Sequence, residues 1–381
     1  MIKFLYDFKQ NLKPLIYLFC TLCITHFASA DWNFFRGSAD MRGVAKTSLK
    51  LPLKLSWDAK IGRSVFATPV VSGGKVFIGN EEGRFVAMDI NDGKIIWEFK
   101  TDDIIEGTAC AVGKYVVFGA GDGYLYCLNK DTGKLNWKYE TDGEILGGVN
   151  LFKSNSDNKD YILVGSYDNY MHCVSLETGK PKWKYETQNY VNGAPGISEG
   201  KIYFGGCDAQ LYGIKTEDGK VHTTMDAENY IANSIVVVDS VAYVAHHGNR
   251  VAAFDLKEKK RIWEFGERDF PYFASPAVTK DSVFAAGRDK RLYRINRKTG
   301  EGIWEFKTGS GIESSPVVAG NTVFVGSGDG SLYGVDIQNG KEQWSFELGD
   351  NIRSSPAVVG GKLIIGCDDG KVYCFNESKS N

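Results

Sequence analysis

The sequence predicts an all-β fold: an eight-bladed β-propeller of four-stranded antiparallel blades, its ring closed by the N-terminal strand pairing with the last blade. Three observations predict it. A small residue recurs at Gly79, Gly119, Gly165, Gly205, Ala245, Ala286, Gly326 and Gly366, a period of about 40 residues. A tryptophan recurs in register at Trp57, Trp97, Trp137, Trp183, Trp263, Trp304 and Trp344, with Thr223 in the one place left without it. Within the period, SSPVVAG, TVFVGS, SLYGVD and KEQWSF are short runs rich in Val, Phe, Tyr and Trp, separated by the hairpin turns AGN, GDG and QNG. None is long enough for a helix.

Taken in order, residues 1–30 read as a cleavable signal peptide. Lys3, Lys9 and Lys13 precede an apolar run from Leu15 to Ile24, and Ala28-Ser29-Ala30 supplies the small-residue cleavage pattern. The run is short for a membrane span, so no span is expected after cleavage and the mature protein is expected in the periplasm or secreted. Cys20 and Cys23 follow Phe19 and Leu22, where lipid attachment would want a small residue, so no lipid anchor is expected. Residues 31–52 form a polar, glycine-containing strap whose Trp32, Phe34 and Phe35 need a surface to pack on.

The propeller spans 53–376, followed by a short tail, 377–381. Leu53 to Trp57 is an outer strand with no inner three before it, and the last repeat has its inner three from Ser354 to Phe375 and no tryptophan strand after them. The two fragments complete one blade and leave no open sheet edge at the seam. Pro69, Pro195, Pro276, Pro316 and Pro356 recur in the first segment of their repeats, which suits a strand whose amides face no partner and makes that segment the innermost.

Small residues ten positions before each tryptophan (Ala87, Cys127, Cys173, Ala253, Gly334) leave room for an indole that stacks blade on blade, a structural docking role. The cysteines in those slots read as small hydrophobes, and no Cys-x-x-Cys metal spacing occurs. The third copy carries an extra loop, KSNSDNKD, expected to point to solvent. The copies around residue 223 are irregular: Thr223 replaces the tryptophan, Lys257-Glu-Lys-Lys260 the glycine turn, and His246-His-Gly-Asn249 the acidic turn.

The formal net charge is −2, and with the first thirty residues removed 42 basic groups face 46 acidic ones. No basic run or face stands out, so a nucleic-acid partner is not expected. The residue just before each inner strand reads Phe66, Glu106, Leu146, Asn192, Ile231, Phe273, Glu313 and Arg353. If these converge on the axis, Glu106, Asn192, Glu313 and Arg353 are the candidates for binding a cation or small anion; the competing reading is solvated loop residues spread around a ring. His246 and His247 alternate faces of a strand and are not expected to share a metal. The turns at Gly121 to Gly123 and Gly328 to Gly330 lack the carboxylates of a calcium loop, and no catalytic motif is present; no metal site is expected.

The pattern Ala87, Asp89, Gly93, Lys94, Trp97, repeated as Gly334, Asp336, Gly340, Lys341, Trp344, resembles the tryptophan-docking repeat of pyrroloquinoline-quinone-like (PQQ-like) eight-bladed propellers. Trp32-Asn-Phe-Phe-Arg36-Gly37 is similar to the segment that opens many exported members. The resemblance implies one of two kinds of relative: quinone- and calcium-dependent alcohol dehydrogenases, or BamB-like assembly proteins that have the propeller without the quinone. The dehydrogenases carry a vicinal cysteine pair, a tryptophan floor and long insertions. This chain has no adjacent cysteines, and all its tryptophans except Trp32 belong to the docking set. The expectation is therefore an exported, monomeric, non-enzymatic scaffold for protein partners in the cell envelope, without a cofactor. A dehydrogenase using PQQ with calcium at the funnel residues is the alternative. A carbohydrate-binding propeller with an aromatic rim of Tyr190, Tyr230, Phe270 and Tyr272 is the third.

Overall fold

A computed structural model describes residues 31–266 and 268–378, so the expected signal peptide, with Cys20 and Cys23, lies outside the described residues. Eight four-stranded antiparallel sheets are present. Blade 1 is built from Val70–Ser72, Lys75–Gly79, Arg84–Asp89 and Ile95–Lys100. Blades 2 to 7 begin at Cys110, Asn150, Gly196, Val236, Ala277 and Val317, and blade 8 at Ala357. In each the chain runs outward, strand by strand, and the first strands of neighbouring blades pack on one another around the axis. The recurring prolines sit directly before those innermost strands, where no ladder partner is lost.

Burial follows position. The third strands are buried on both faces, as in Phe85 to Met88, because blades cover them on either side. The outermost strands alternate, as in Ile95–Lys100, with one face on the neighbour and one in water. Blade 8 takes its outer strand from Leu53–Lys60, which pairs antiparallel with Lys371–Glu377 from Leu53 opposite Glu377 to Lys60 opposite Lys371.

The docking tryptophans join blades, but the small residue sits elsewhere than expected. Ala87, Cys127, Cys173, Ala253 and Gly334 lie opposite Trp97, Trp137, Trp183, Trp263 and Trp344 on the adjacent strand of the same blade. Immediately beyond each pair the register shifts by a bulge, which increases local twist and turns the indole out of its own sheet. Its Nε1 then donates to a carbonyl of the next blade: Trp57 to Ile90 at 3.0 Å, Trp97 to Lys130 at 3.1 Å, Trp137 to Leu176 at 2.9 Å. The indole also stacks on a turn glycine of that blade. A Cβ at Gly93 would lie 2.6 Å from the Trp57 ring, and one at Gly179 2.7 Å from that of Trp137, and both glycines hold positive φ.

Cys110, Cys127, Cys173, Cys367 and Cys374 are free and buried, and Cys207 is free and half-buried. The extra loop of blade 3 departs from expectation. It does not simply face solvent: Ser154 is buried, and Ser154 Oγ, the Asn155 N–H and Ser156 Oγ donate to Glu217 of blade 4 at 2.7, 2.7 and 2.9 Å.

The segment 31–48 crosses the axis at one end of the ring. It exchanges backbone hydrogen bonds with Val71, Ala111, Ile197, Val278 and Val318 on five innermost strands, and the Asn150 amide of a sixth donates to Ala39 O. Arg36, 1% exposed, donates to Pro276 O at 2.8 Å, and its guanidinium occupies the space a side chain at Gly43 would need. Burial brings the Arg36 pKa down to about 9. The turns joining first to second and third to fourth strands share this closed face. The turns between second and third strands, and the loops from each outer strand to the next inner one, form the opposite face.

Candidate functional site

On that opposite face a cavity of about 160 Å³ opens along the axis, floored by Phe35 of the strap. Seven of the eight residues expected to converge there line it, among them Glu106, Asn192, Glu313 and Arg353. The eighth is corrected: Ile231 is fully buried between blades, and its neighbour Ala232 lines the mouth. Blade 5 has Ile235 where the neighbouring blades 4 and 6 have Pro195 and Pro276.

The four polar candidates differ in what they already hold. Arg353 donates from Nε and Nη2 to Asp368 Oδ2 at 2.8 Å each and lies 3.5 Å from the Phe66 ring centre. Glu313 accepts from Arg288 Nε at 2.9 Å and Nη2 at 2.6 Å, and that guanidinium lies 3.9 Å from the Phe273 ring centre. Asn192 Nδ2 reaches Cys207 Sγ at 3.4 Å, and its Oδ1 is buried without a donor. Glu106 makes no hydrogen bond or ion pair among the described residues. Its side chain is exposed to the water of the funnel. Desolvation there raises its pKa above the ordinary carboxylate value; Arg353 opposes the rise, and Glu313 and Glu144 add to it.

Beneath these residues lies a collar of hydroxyls that sequence reasoning missed. The backbone N–H of Ala194 donates to Ser234 Oγ at 2.9 Å, Ser234 to Ser275 at 3.0 Å, Ser275 to Ser315 and Ser315 to Ser355 at 2.9 Å, and Ser355 to Thr68 at 3.1 Å. Each bond joins one blade to the next, and the last crosses the seam. The signal was present, since Thr68, Ser275, Ser315 and Ser355 directly precede prolines. The collar is interrupted at Gly148 and Ala194, whose small size admits Phe35.

The remaining candidates are not brought together. His246 is buried and its Nδ1 accepts from the Gly248 N–H at 3.1 Å, while His247 stands edge-on to Phe273 at 4.5 Å. Among the described residues no group of three or more His, Cys, Asp or Glu is placed to hold a metal. The Gly-Asp-Gly segments are turns whose aspartates bind protein: Asp122 accepts from Tyr126 OH at 2.7 Å and Asp329 from Tyr333 OH at 2.9 Å. Of the expected aromatic rim, Tyr190, Tyr230 and Phe270 are exposed, but Tyr272 is buried at 2%. Tyr190 stacks flat on Tyr167 at 4.6 Å.

The lining does not fit a tricyclic quinone. The cavity is below the roughly 300 Å³ at which small-molecule sites usually begin. Of the three aromatic residues lining it, Phe66 and Phe273 are already covered by guanidinium groups.

A family model described as outer membrane protein assembly factor BamB matches residues 54–158, 147–269 and 247–380. BamB from Moraxella catarrhalis superposes with a TM-score of 0.73 at 19% identity, over 87% of this chain and 99% of that one. Quinohemoprotein alcohol dehydrogenase from Comamonas testosteroni superposes with a TM-score of 0.78 at 15% identity, over 92% of this chain and 81% of that one. A quinoprotein ethanol dehydrogenase from Pseudomonas putida is 41% identical over 69 residues, which are 18% of this chain and only 11% of the enzyme. At these identities the two structural likenesses speak for the fold alone.

Proposed function

The chain belongs to the family described as outer membrane protein assembly factor BamB, and from that premise we propose that it is a non-enzymatic scaffold of the cell envelope, periplasmic or exported, that binds partner proteins through the face bearing the axial mouth. The observation that carries the reading is the state of the mouth: its guanidiniums are paired and stacked, its hydroxyls serve as acceptors between blades, and no nucleophile–base pair is assembled there. Among the described residues the exposed aromatics Tyr190, Tyr230 and Phe270, of the kind that anchor protein contacts, lie on the face of the axial recess.

The test is photo-crosslinking in intact cells, with the crosslinker at Tyr230 or Phe270 on the mouth face and at Lys114 on the strap face. Defined protein adducts from the first two positions and none from Lys114 are expected. Adducts from neither face would sink the reading. The dehydrogenase alternative, favoured by the short match to a quinoprotein, is tested by calorimetric titration of quinone with calcium; saturable one-to-one binding would turn attention to Glu106, Asn192, Glu313 and Arg353.

A further inference from the structure

The outermost strand of each blade ends its sheet, so among the described residues the rim presents eight strand edges without a ladder partner. Such edges invite pairing with another chain, and charged side chains are the usual guard. Seven of the eight outermost strands carry at least two residues of Asp, Glu, Lys or Arg. Several of these reach across to the neighbouring strand: Glu264 meets Arg250 at 3.2 Å, Glu305 meets Arg291 at 3.0 Å, and the Lys138 ammonium lies 3.8 Å from the Tyr124 ring centre.

The outermost strand of blade 4, Val221–Asp226, is built otherwise. It has one acid, Asp226 at its mouth-face end, and no lysine or arginine. Val221, His222 and Thr224 are exposed along it, and Thr224 stands where Glu264 and Glu305 stand in their own strands. The guard is missing from this edge.

Beside the other end of the strand lies a charge that the blade does not match. Lys201, which opens the second strand, faces Lys215, which closes the third. In the other blades the place of Lys215 is taken by an aspartate, an asparagine or a serine, as in Asp89 opposite Lys75. Like charges directly opposite each other repel. Lys201 Nζ donates to the Glu199 carbonyl at 3.5 Å, and neither lysine makes an ion pair among the described residues. The edge is therefore basic at the strap-face end and acidic at the mouth-face end.

That polarity names the occupant. A second copy of the same strand, run antiparallel, brings its acidic end to the basic end of the first, and two-fold symmetry makes the converse contact as well. Thr223 to Asp226 are in regular register with the third strand, beyond the bulge, and offer the straight part of the edge. Pairing centred on Thr224 sets that residue opposite its own copy and Asp226 of each copy beside His222 of the other, with Lys215 one strand further in. We propose that two copies of this chain associate rim to rim through Val221–Asp226, making one eight-stranded sheet of their two fourth blades, in place of the monomer expected from the sequence. The rim is apart from the mouth, so this pairing and the scaffold reading stand or fall separately.

The experiment is sedimentation velocity on the purified protein from about 1 to 100 μM, with the expected result a monomer–dimer equilibrium whose midpoint lies in about the micromolar range. Thr224→Glu sets two carboxylates face to face on the two-fold axis and is expected to weaken the dimer about tenfold or more. Lys215→Asp and Asp226→Lys are each expected to weaken it, and the two together to restore it. Residues opposite one another in an antiparallel pair lie about 4.5–5.5 Å apart, within disulfide reach, so Thr224→Cys is expected to give a linked dimer with diamide and Glu305→Cys on blade 6 is not. If Thr224→Glu lowers the melting temperature, the crosslink decides. A monomer at every concentration would overturn the pairing. So would a dimer indifferent to Thr224→Glu, a charge swap that fails to restore it, or equal crosslinking through Glu305→Cys.

Discussion

The junction between blades 3 and 4 and the junction between blades 4 and 5 lie side by side and are built differently. At the first, Trp183 Nε1 donates to Thr216 O at 2.9 Å, the indole lies on Gly219, and Glu217 clamps the extra loop of blade 3. At the second, Thr223 stands in the indole's place, buried, with its hydroxyl unpaired. The turn residue that is glycine at Gly93, Gly133, Gly179, Gly219, Gly300 and Gly340 is Lys259 there, held at φ 53°. The two changes have one cause. Glycine is demanded where the incoming ring leaves no room for a Cβ, and with the ring gone a lysine bears the left-handed backbone alone.

The largest effect that would sharpen this contrast is the loss of a docked indole. Trp57→Ala, at the junction of blades 8 and 1, is expected to cost about 3–5 kcal/mol in urea unfolding. A loss no greater than that of Thr223→Ala would break the distinction. Next comes the glycine beneath the ring: Gly179→Ala places a Cβ 2.7 Å from Trp137 at φ 69° and is expected to cost about 1–3 kcal/mol. Lys259→Gly, where no ring presses, should change stability little.

Building the missing dock tests the cause itself. Gly213 already stands opposite Thr223 as Gly334 stands opposite Trp344, so Thr223→Trp combined with Lys259→Gly is expected to be more stable than the sum of the single changes by about 1 kcal/mol. Additivity would mean that indole and glycine are independent.

The smallest expected effect is a pH dependence confined to the doubly tied junction. Glu217 is held down to about 2: burial alone would raise it, but the hydroxyls of Ser154 and Ser156, the Asn155 N–H and Lys182 outweigh that. A depressed folded value means that its contribution is complete above the unfolded value of about 4.5 and fades as pH falls toward 2. Protection factors in the 154–159 loop, taken against the intrinsic exchange rate at each pH, should therefore fall as pH drops across that window in wild type and be already low and constant in Glu217→Gln.

The blades were legible in the sequence because the repeating residues are themselves the inter-blade packing. Indole, turn glycine and small partner leave a period that needs no coordinates, and the half-blades at 53–57 and 354–375 announced their own pairing. The strand partner of each indole was misplaced because spacing along the chain does not say across which ladder two residues meet. At the mouth, Glu106, Asn192, Glu313 and Arg353 were found by periodic position, while Asn233 was not: its donors go to carbonyls of its own and the following blade, contacts that no local pattern encodes. Tyr272 looked like a rim aromatic but occupies the buried place that Ile231 and Ile312 fill in neighbouring copies.

The composite eighth blade imposes an order of events on synthesis. Leu53–Lys60 is the first strand of the propeller to be translated and Lys371–Glu377 the last, yet each is the other's ladder partner. Seven blades can assemble while the chain is still growing, with the earliest strand left waiting as a bare edge. Any chain that stops before Lys371 keeps that edge exposed, so ring closure acts as a check on length: only a chain read to its final blade conceals the strand with which it began.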